Sequence, residues 1–494
     1  MFATPKGTKN HFQRLESQNK KVLYAALGKT DLIVSKIGFG GYRIHEYSSD
    51  HRSALKEALL SGCNLVDTST NYGDGGSEKL IGEVLSELFT SQSLQREEVV
   101  IVTKVGYLQG QLLDQAKKKG PGIPLFPDTV EFQKECWHNI SPEFLEYQIT
   151  QSLRRLNLQS IDILLLHNPE YFLKAGGQRE GYYQRIEKAF RHLEAEIRRG
   201  RIQHYGVSSN TFPETESRSD FTSLKRIYEI AQGIDKKNGF AVIQLPFNLF
   251  ESGGVLIKNN GGQTAFDYAA QNGLGVLTNR PFNSIQNDRL VRLTSFPIHD
   301  AVEIKGNLHT IVGRALEAEL NIVKIYKQSG LHKTDPTVGT SALPRGLSWA
   351  HLMRDHLADF DDLLSWKEAL TTQIIPSIRQ SLNKLSAEHQ NEVFIYENVM
   401  QELFNLITCD LENLAQQKSE ILQEQIHKIL PDLEGPQSLS SKMIRVYTAF
   451  PQVSSVLVGM RNLSYVHDIL ANLQDPISDK GAFALLEKMQ RHRS

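Results

Sequence analysis

The chain has 494 residues, more than one ordinary domain holds, so we expect one large domain with a substantial addition. Its 55 basic and 56 acidic side chains nearly cancel, which argues against nucleic acid or an anionic membrane as a partner and favours a small polar ligand. Cys63, Cys136 and Cys409 are odd in number and lack the spacing of metal ligands, so we predict neither a disulfide framework nor a metal site and favour a reducing compartment.

The first 21 residues are polar and basic and contain no apolar core. They do not resemble a secretory signal, and no later run approaches the roughly 20 apolar residues of a membrane span. We therefore expect residues 1–21 to be a flexible tail and the protein to be cytoplasmic. A transit peptide is the alternative, because Glu16 is the only acid among the first 20 residues.

Two apolar runs separated by Gly28-Lys29-Thr30 predict a β-hairpin over residues 22–33, and strand-like and helix-like runs alternate after it. The predicted strands are residues 35–41, 64–68, 99–105, 161–166, 203–207, 241–245, 275–278 and 454–458. The predicted helices are residues 52–60, 77–88, 142–156, 182–199, 222–231, 265–271 and 463–473. Such alternation indicates a parallel sheet with helical crossovers, and eight units favour a closed (β/α)₈ barrel, the TIM barrel of the α/β class.

Residues 290–437 break this alternation. Apolar residues recur there at helical spacing, for example Tyr396, Met400, Leu403 and Ile407, and polar residues occupy the other faces. We predict a helical insertion after the seventh strand, on the side where a barrel keeps its active site. The hairpin and first seven units then occupy residues 22–289, and the last unit with a C-terminal segment occupies residues 438–494.

The stretch NLVDTSTNYGDGGSE, residues 64–78, combines a short apolar strand ending in Asp67, a tyrosine at Tyr72 and a glycine-rich turn before a helix. Ser77 is a plausible N-cap for that helix. Asp67 and Tyr72 therefore lie on a strand-to-helix loop, where barrels carry catalytic groups. The alternative is that Asn71, Tyr72 and Gly73 form only a turn with a packed ring.

Two further ionisable residues close strands: Lys104 in IVTKVG and His167 in LLLHNPE. A buried ammonium needs a partner, which Asp67 on the adjacent strand could supply. We expect the resulting cation to lower the pKa of Tyr72 and make it a general acid and base. His167 could donate a hydrogen bond to a carbonyl oxygen, and the alternative is a satisfied core histidine.

In order and context these residues resemble the aldo-keto reductase family. The similar segments are ALGKTDLIVSKIGFGG, DTSTNYGDGGSE, VTK, LLLHNP, GVSSN, VIQLPFN, GVLTNRPF and VSSVLVGMRN. The resemblance implies a (β/α)₈ barrel that binds NADP(H) or NAD(H) without a Rossmann domain and passes hydride between nicotinamide and a carbonyl or alcohol carbon. It also maps the family's catalytic tetrad onto Asp67, Tyr72, Lys104 and His167.

The resemblance places a second set of residues on the cofactor. Gly41, Tyr42 and Asp67 are expected near the nicotinamide, with Ser208, Ser209 and Gln244 on its carboxamide, Pro281, Phe282 and Asn283 along the pyrophosphate, and Gly459 and Arg461 at the start of the last helix. Arg461 could grip a 2′-phosphate, so we expect NADP(H) rather than NAD(H), although a surface arginine is the alternative. The chain departs from the family at Ser209, at Asn279, where a stacking aromatic is common, and at Ile469, where an adenine-contacting asparagine is expected.

Two functions follow from this pattern. The first is a reductase acting on an aldehyde, ketone or sugar-like substrate, in which Tyr72 moves the proton and the cofactor supplies the hydride. The second is a nucleotide-binding regulatory barrel, like the channel-associated branch of the family, that acts through partner binding. The complete tetrad favours the enzyme. We expect the helical insertion to cover the cofactor side or to form a homo-oligomer interface.

Overall fold

The computed structural model describes residues 1–119, 125–286, 289–331, 345–385, 387–471 and 473–491. Eight parallel strands close a barrel in sequence order, with the last strand hydrogen-bonded to the first. They are β1 (Ile37–Gly40), β2 (Leu65–Asp67), β3 (Val100–Val105), β4 (Ile161–His167), β5 (Ile202–Ser208), β6 (Phe240–Pro246), β7 (Gly275–Asn279) and β8 (Val453–Val458). The predicted TIM barrel is confirmed.

Helices follow the strands as crossovers, which parallel pairing requires. The helices of the barrel unit are Pro5–Ser17, Ser49–Leu60, Gly76–Thr90, Gly110–Lys118, Pro142–Arg155, Tyr171–Lys174, Arg179–Arg198, Leu224–Ile234, Gly253–Leu256, Ala265–Gln271, Leu439–Tyr447, Leu463–Val466 and Asp479–Arg491. Shorter 3₁₀ or π turns span Gly28–Thr30, Tyr72–Gly75, Arg96–Glu98, Pro431–Leu433 and His467–Ala471. Antiparallel pairs outside the barrel join Lys258–Asn260 to Gln263–Thr264 and Asn283–Gln286 to Arg289–Arg292, and Cys136–His138 lies between Tyr107–Leu108 and Val130–Gln133.

The N-terminal hairpin pairs Tyr24–Ala26 with Ile33–Ser35, and Val34 belongs to a buried cluster shared with the barrel strands. Leu27 and Leu32 are fully buried in one cluster with residues of β2, β3, β4, β6, β7 and β8. Gly28 lies against the backbone at Gly275, where an added Cβ would approach the amide nitrogen to 2.3 Å, and its φ is +54°. Glycine is therefore required at this contact.

The expectation of a flexible tail over residues 1–21 is wrong, because Pro5–Ser17 form a helix that packs on the barrel unit. Thr4 caps it by accepting a hydrogen bond from the Gly7 amide, and Pro5 occupies its first turn. Phe12 and Leu15 are buried. Arg14 donates hydrogen bonds to both carboxylate oxygens of Glu98, which is 4% exposed. These tertiary partners order a segment whose own composition is polar.

Arg14→Met is expected to lower the free energy of unfolding by about 1 to 2 kcal/mol at neutral pH. Burial alone would raise the pKa of Glu98, but its interactions with His11 and Arg14 outweigh burial and lower this pKa to about 2. A depressed carboxyl pKa stabilises the fold above the unfolded value near 4.5 and loses that contribution as the pH falls toward about 2. Urea unfolding of both proteins should therefore show a smaller difference at about pH 3 than at about pH 7.

Arg52→Met serves as the matched control for this experiment. Arg52 pairs with Glu83 on the surface, where both side chains are more than a third exposed. An exposed pair contributes about 0 to 1 kcal/mol. Equal losses for the two variants would contradict the anchoring role of Arg14.

The chain divides into two compact units, Met1–Leu293 with Ile429–Ser494, and Thr294–Lys428. The second unit is built from Ala301–Gln328, Arg345–Leu347, Trp349–His356, Leu357–Asp359, Leu363–Ala369, Leu370–Ile374, Ile375–Leu382, Ala387–His389 and Gln390–Ile429. Its own core includes the buried rings of Tyr326, Trp366, Tyr396 and Phe404. The second unit begins at Thr294, later than the predicted residue 290, because the strand Arg289–Arg292 pairs back onto Asn283–Gln286.

The roles predicted for the helical unit, as a cover of the cofactor side or as a homo-oligomer interface, stay predictions. Over the parts of the chain that the structure describes, no helix is long and apolar enough to cross a membrane.

Candidate active site

Four predicted catalytic side chains converge at the C-terminal ends of neighbouring barrel strands. Asp67 is the last residue of β2, Lys104 is the last but one of β3, and His167 is the last of β4. Tyr72 opens the 3₁₀ turn Tyr72–Gly75 that follows β2. Parallel strands carry their carboxyl ends at one edge, so residues remote in sequence meet there.

Lys104 is fully buried and its ammonium group has three oxygen acceptors. Nζ donates to Asp67 Oδ2 at 2.7 Å, to the Thr68 carbonyl at 2.9 Å and to the Tyr72 hydroxyl at 3.3 Å. An ammonium carries three donors, so this set satisfies it completely. The predicted ion pair with Asp67 is present, and it places the cation directly beside the phenol.

Burial dominates the acidity of Tyr72. Burial raises the pKa of the Tyr72 hydroxyl above its usual value and outweighs the nearby Lys104 ammonium, which lowers it. The predicted lowering of this pKa is therefore wrong, because the sequence shows the cation but not the extent of burial. Burial would also lower the pKa of Lys104, but Asp67 and Tyr72 outweigh it and raise that pKa. At neutral pH the site holds a protonated phenol beside a protonated lysine, an arrangement suited to donating a proton.

His167 is 7% exposed, and its ring packs edge-to-face on Tyr72, with 5.9 Å between the ring centroids. Its Nδ1 lies 3.0 Å from the Ser69 hydroxyl. Burial, followed by the charges of Lys104 and His138, lowers the pKa of His167 well below its usual value. The imidazole is therefore neutral.

Ser69 and Tyr107 contact His167 and were missed from the sequence. Tyr107 packs its ring 4.7 Å from His167 and accepts a hydrogen bond from Asn168 at 2.6 Å. Ser69 stands two residues after Asp67 in the strand-to-helix loop, and that position was the available signal for it.

Gln244 connects the tetrad to the residues predicted for the carboxamide. It donates to Asp67 Oδ1 at 2.8 Å, and its Oε1 accepts from Ser208 at 3.2 Å and from Asn279 at 3.1 Å. A hydrogen-bonded chain thus runs from Tyr72 through Lys104, Asp67 and Gln244 to β5 and β7. The Ser209 hydroxyl lies outside this chain and contacts Thr211 at 3.1 Å, although the Ser209 amide donates to the Gln244 carbonyl at 3.0 Å.

Gly41 and Tyr42 follow β1, beside Asp67. The Gly41 amide donates to the Asp67 carbonyl at 2.8 Å, and its own carbonyl accepts from Ser77 at 2.8 Å. Ser77 is therefore not the N-cap of the helix Gly76–Thr90, whose N-cap residue is Gly75. The Tyr42 ring is 62% exposed and packs edge-to-face on Tyr72 with 5.0 Å between centroids.

Pro281, Phe282 and Asn283, the residues predicted for the pyrophosphate, follow β7. Arg280 precedes them with a left-handed φ of 57°, which is unusual for a residue with a side chain. Its guanidinium donates to Asn210 at 2.9 Å and pairs with Glu251 at 3.2 Å. Sequence reasoning missed Arg280, although its position between Asn279 and Pro281 was visible.

Gly459 and Arg461 follow β8. An added Cβ at Gly459 would meet nothing within 4 Å. Asn462 caps the short helix Leu463–Val466, and Arg461 makes no hydrogen bond to any described residue. The charge of Arg461 contributes to lowering the pKa of His51, behind burial and His45. Ile469 is buried.

The residues at this edge fit a nicotinamide nucleotide. The Oδ1 atoms of Asn279 and Asn283 are buried and lack a hydrogen-bond partner among the described residues. Buried acceptors of this kind are costly unless a donor reaches them, and a carboxamide or ribose could supply one. Asn279 also contacts Gln244, which bonds to Asp67, so the Asn279 acceptor lies close to the tetrad.

The chain is similar in sequence to known enzymes and in structure to a solved protein. Over 149 residues the chain is 31% identical to an NADH-specific methylglyoxal reductase of Escherichia coli, which covers 28% of this chain and 40% of that protein. Over 267 residues it is 26% identical to a pyridoxal 4-dehydrogenase of Microbacterium luteolum, covering 49% and 75%. The solved aldo-keto reductase of Bacillus halodurans is 15% identical with a TM-score of 0.47, covering 96% of this chain and 100% of that one.

The matched segment spans about two fifths of the Escherichia coli reductase. It spans a similar share, 38%, of a fission-yeast protein named as a putative voltage-gated potassium channel subunit beta. A model of the aldo/keto reductase family matches residues 36–285, which contain seven of the barrel strands and all four residues of the tetrad. This match covers half of the chain, and the chain belongs to the aldo/keto reductase family.

Proposed function

We propose that the protein is an NAD(P)(H)-dependent aldo-keto reductase. It transfers hydride between nicotinamide and the carbonyl or alcohol carbon of an aldehyde, ketone or sugar-like substrate. The observation that carries the proposal is the buried contact of Lys104 Nζ with Asp67 at 2.7 Å and with the Tyr72 hydroxyl at 3.3 Å. A protein that only binds nucleotide has no need of a proton donor held beside a cation. Relatives named for methylglyoxal, pyridoxal and L-galactose support this type of reacting carbon.

Each tetrad residue has a distinct task in carbonyl reduction. A bound nicotinamide nucleotide supplies the hydride. Tyr72 holds a proton on its hydroxyl and donates it to the substrate oxygen as negative charge develops there. Lys104 stabilises the phenolate that remains, and Asp67 keeps the ammonium in place. The neutral imidazole of His167 has Nδ1 engaged with Ser69, so Nε2 is the atom available to orient the substrate oxygen.

The deciding experiment pairs nucleotide binding with turnover. NADPH fluorescence is titrated with the protein, and NADPH absorbance is then followed with a panel of aldehydes, ketones and aldoses. Binding together with turnover supports the reductase. Binding without turnover on any member of the panel favours the regulatory barrel, and absence of binding contradicts both.

We further propose that the protein prefers NADP(H) to NAD(H) through Arg461. Arg461→Ala should raise the Kd for NADPH by about tenfold or more and leave the Kd for NADH unchanged, because a charge-assisted hydrogen bond to a phosphate is worth about 1.5 to 3 kcal/mol. Fluorescence titration of both nucleotides measures the two constants. Arg461→Lys is the control, since it keeps the charge and should recover part of the loss. An equal change for both nucleotides would contradict the assignment of a 2′-phosphate to Arg461.

A further inference from the structure

Glu170 is a carboxyl group that the proposed chemistry does not use, although it lies three residues beyond His167. Its side chain is fully buried at the C-terminal end of the barrel, beyond β4. The intervening Asn168 has a left-handed φ of 50°, and its amide donates to the Ser208 carbonyl at 2.7 Å. This backbone hydrogen bond joins the end of β4 to the end of β5, two residues before Glu170 in the chain.

The Glu170 side chain makes a second tie to β5. Its Oε1 accepts a hydrogen bond from the Asn210 amide at 2.9 Å, while its Oε2 has no hydrogen-bond partner among the described residues. Asn210 follows β5 two residues after Ser208, the last residue of that strand. Ser208 in turn bonds to Gln244, the partner of Asp67. The carboxyl thus lies at one end of a chain of contacts that leads to the tetrad.

Burial raises the pKa of Glu170 to about 7. Four groups lower this pKa without cancelling the effect of burial: the amide of Glu170 itself, the Lys174 charge, the Asn210 amide and the Ser209 hydroxyl. The Lys174 ammonium also lies 3.9 Å from Asp220 and over the ring of Tyr171. It therefore interacts with these groups as well as with Glu170.

Phenols complete the surroundings of Glu170. They are Tyr107 after β3, Tyr171 in the adjoining helix and Tyr182 in the helix Arg179–Arg198, and Glu170 contributes to raising the pKa of each. All three phenols stay neutral at physiological pH, since burial raises the pKa of each further. The group that changes charge near neutrality in this cluster is Glu170.

We propose that Glu170 is a positioning residue whose ionised carboxylate fixes residues 208–210 at the end of β5 for the nicotinamide carboxamide, and whose protonation loosens this segment and weakens nucleotide binding. The physical reason is that a carboxylate accepts a stronger hydrogen bond from a backbone amide than a neutral carboxyl does. The inference rests on the proposed function, because it takes the protein to bind a nicotinamide nucleotide whose carboxamide lies at Ser208 and Gln244, as the resemblance implies.

The test is the pH dependence of nucleotide affinity, measured by fluorescence titration from about pH 6 to about pH 9. In the wild type, Kd should rise roughly fivefold as the pH falls through neutrality, the factor that separates hydrogen bonds to charged and to neutral groups. The rate of single-turnover hydride transfer at saturating nucleotide should not share this dependence. NADPH and NADH are both used, because the 2′-phosphate of NADPH titrates near about pH 6 and NADH lacks it.

Two variants separate positioning from a merely structural role. Glu170→Gln keeps the acceptor but cannot ionise, so its Kd should equal the acidic wild-type value at every pH. Lys174→Met removes a charge that lowers the pKa of Glu170, so the midpoint should move to higher pH. The second variant also decides the question if Glu170→Gln fails to fold.

The outcomes distinguish the inference from the proposed function. A midpoint that persists in Glu170→Gln, or one that Lys174→Met leaves in place, overturns the role of Glu170 while the reductase stands. A wild-type affinity that does not change with pH also overturns the role of Glu170 and leaves the reductase standing. Failure of the wild type to bind either nucleotide at any pH overturns the proposed function and this inference with it.

Discussion

Tyr72→Phe is expected to slow hydride transfer to a carbonyl substrate by about 10² to 10⁴-fold and to leave nucleotide affinity nearly unchanged. The phenyl ring keeps the edge-to-face contacts with Tyr42 and His167. It removes the hydroxyl that contacts Lys104, and with it the proton that reaches the developing alkoxide. Single-turnover absorbance at saturating NADPH with an aldehyde substrate measures the rate of the chemical step.

The pH profile of the wild type gives a second test of the same role. Because burial raises the pKa of Tyr72, the phenol keeps its proton throughout the neutral range. At saturating NADPH the single-turnover rate of reduction should therefore stay undiminished through neutrality and fall only at strongly alkaline pH.

Tyr171→Phe is the matched control for Tyr72→Phe. Tyr171 is a partly buried phenol near the site. It is not among the described hydrogen-bond partners of Lys104. Its rate should stay within a few-fold of the wild type. A wild-type rate that survives Tyr72→Phe would show that Tyr72 has only a packing role.

Lys104→Met should slow turnover as much as Tyr72→Phe does. It should also lower the free energy of unfolding by about 3 kcal/mol. The phenolate would lose its neighbouring cation, and Asp67 would remain buried with only the Gln244 hydrogen bond. Burial raises the pKa of Asp67 and Lys104 opposes that rise, so removing Lys104 raises the pKa further.

The loss of stability in Lys104→Met should depend on pH in a defined direction. A carboxyl with a raised pKa in the folded state binds its proton there more readily than in the unfolded state, so the fold loses stability as the pH rises through the folded pKa. Denaturant unfolding should therefore show a smaller deficit at acid pH than at neutral pH.

Lys36→Met is the control for this variant. Lys36 is also partly buried and donates to the Thr448 carbonyl at 2.8 Å, but it precedes β1 at the opposite end of the barrel. Its turnover should match that of the wild type. A Lys104→Met protein with wild-type turnover would contradict the proton-transfer role assigned to the Lys104–Tyr72 pair.

The sequence was sufficient for the barrel because each strand is a short apolar run followed by a helix-forming segment. It was sufficient for the Lys104–Asp67 contact because a lysine inside an apolar strand requires a buried acceptor. These inferences depend on local pattern and on the rule that parallel strands end at one edge. Both are properties that neighbouring residues reveal.

What the sequence could not supply depends on residues far apart in the chain. The acidity of Tyr72 is decided by the burial that the fold imposes on it, and Glu170 acquires its environment from Asn210 and Lys174. The N-terminal helix was missed because its order depends on Glu98 and Asp162. Thr4 followed by Pro5, with Phe12 and Leu15 at helical spacing, was a usable signal for that helix.

The position of the helical unit between β7 and β8 has a consequence for how the chain folds during synthesis. β7 and β8 pair in parallel, and a hydrogen bond from the Val276 amide to the Ser454 hydroxyl links residues 178 positions apart. Loop-closure entropy grows slowly with length, so relative to a connection of about 30 residues the longer one adds only about 1.5 kcal/mol. Kinetics are affected more, because a ribosome adds about 5 to 20 residues per second and β8 emerges about 10 to 35 seconds after β7. During that interval β1 and β7 are open sheet edges, which readily pair with other chains, so the period before the barrel closes is when the nascent protein most needs chaperone protection.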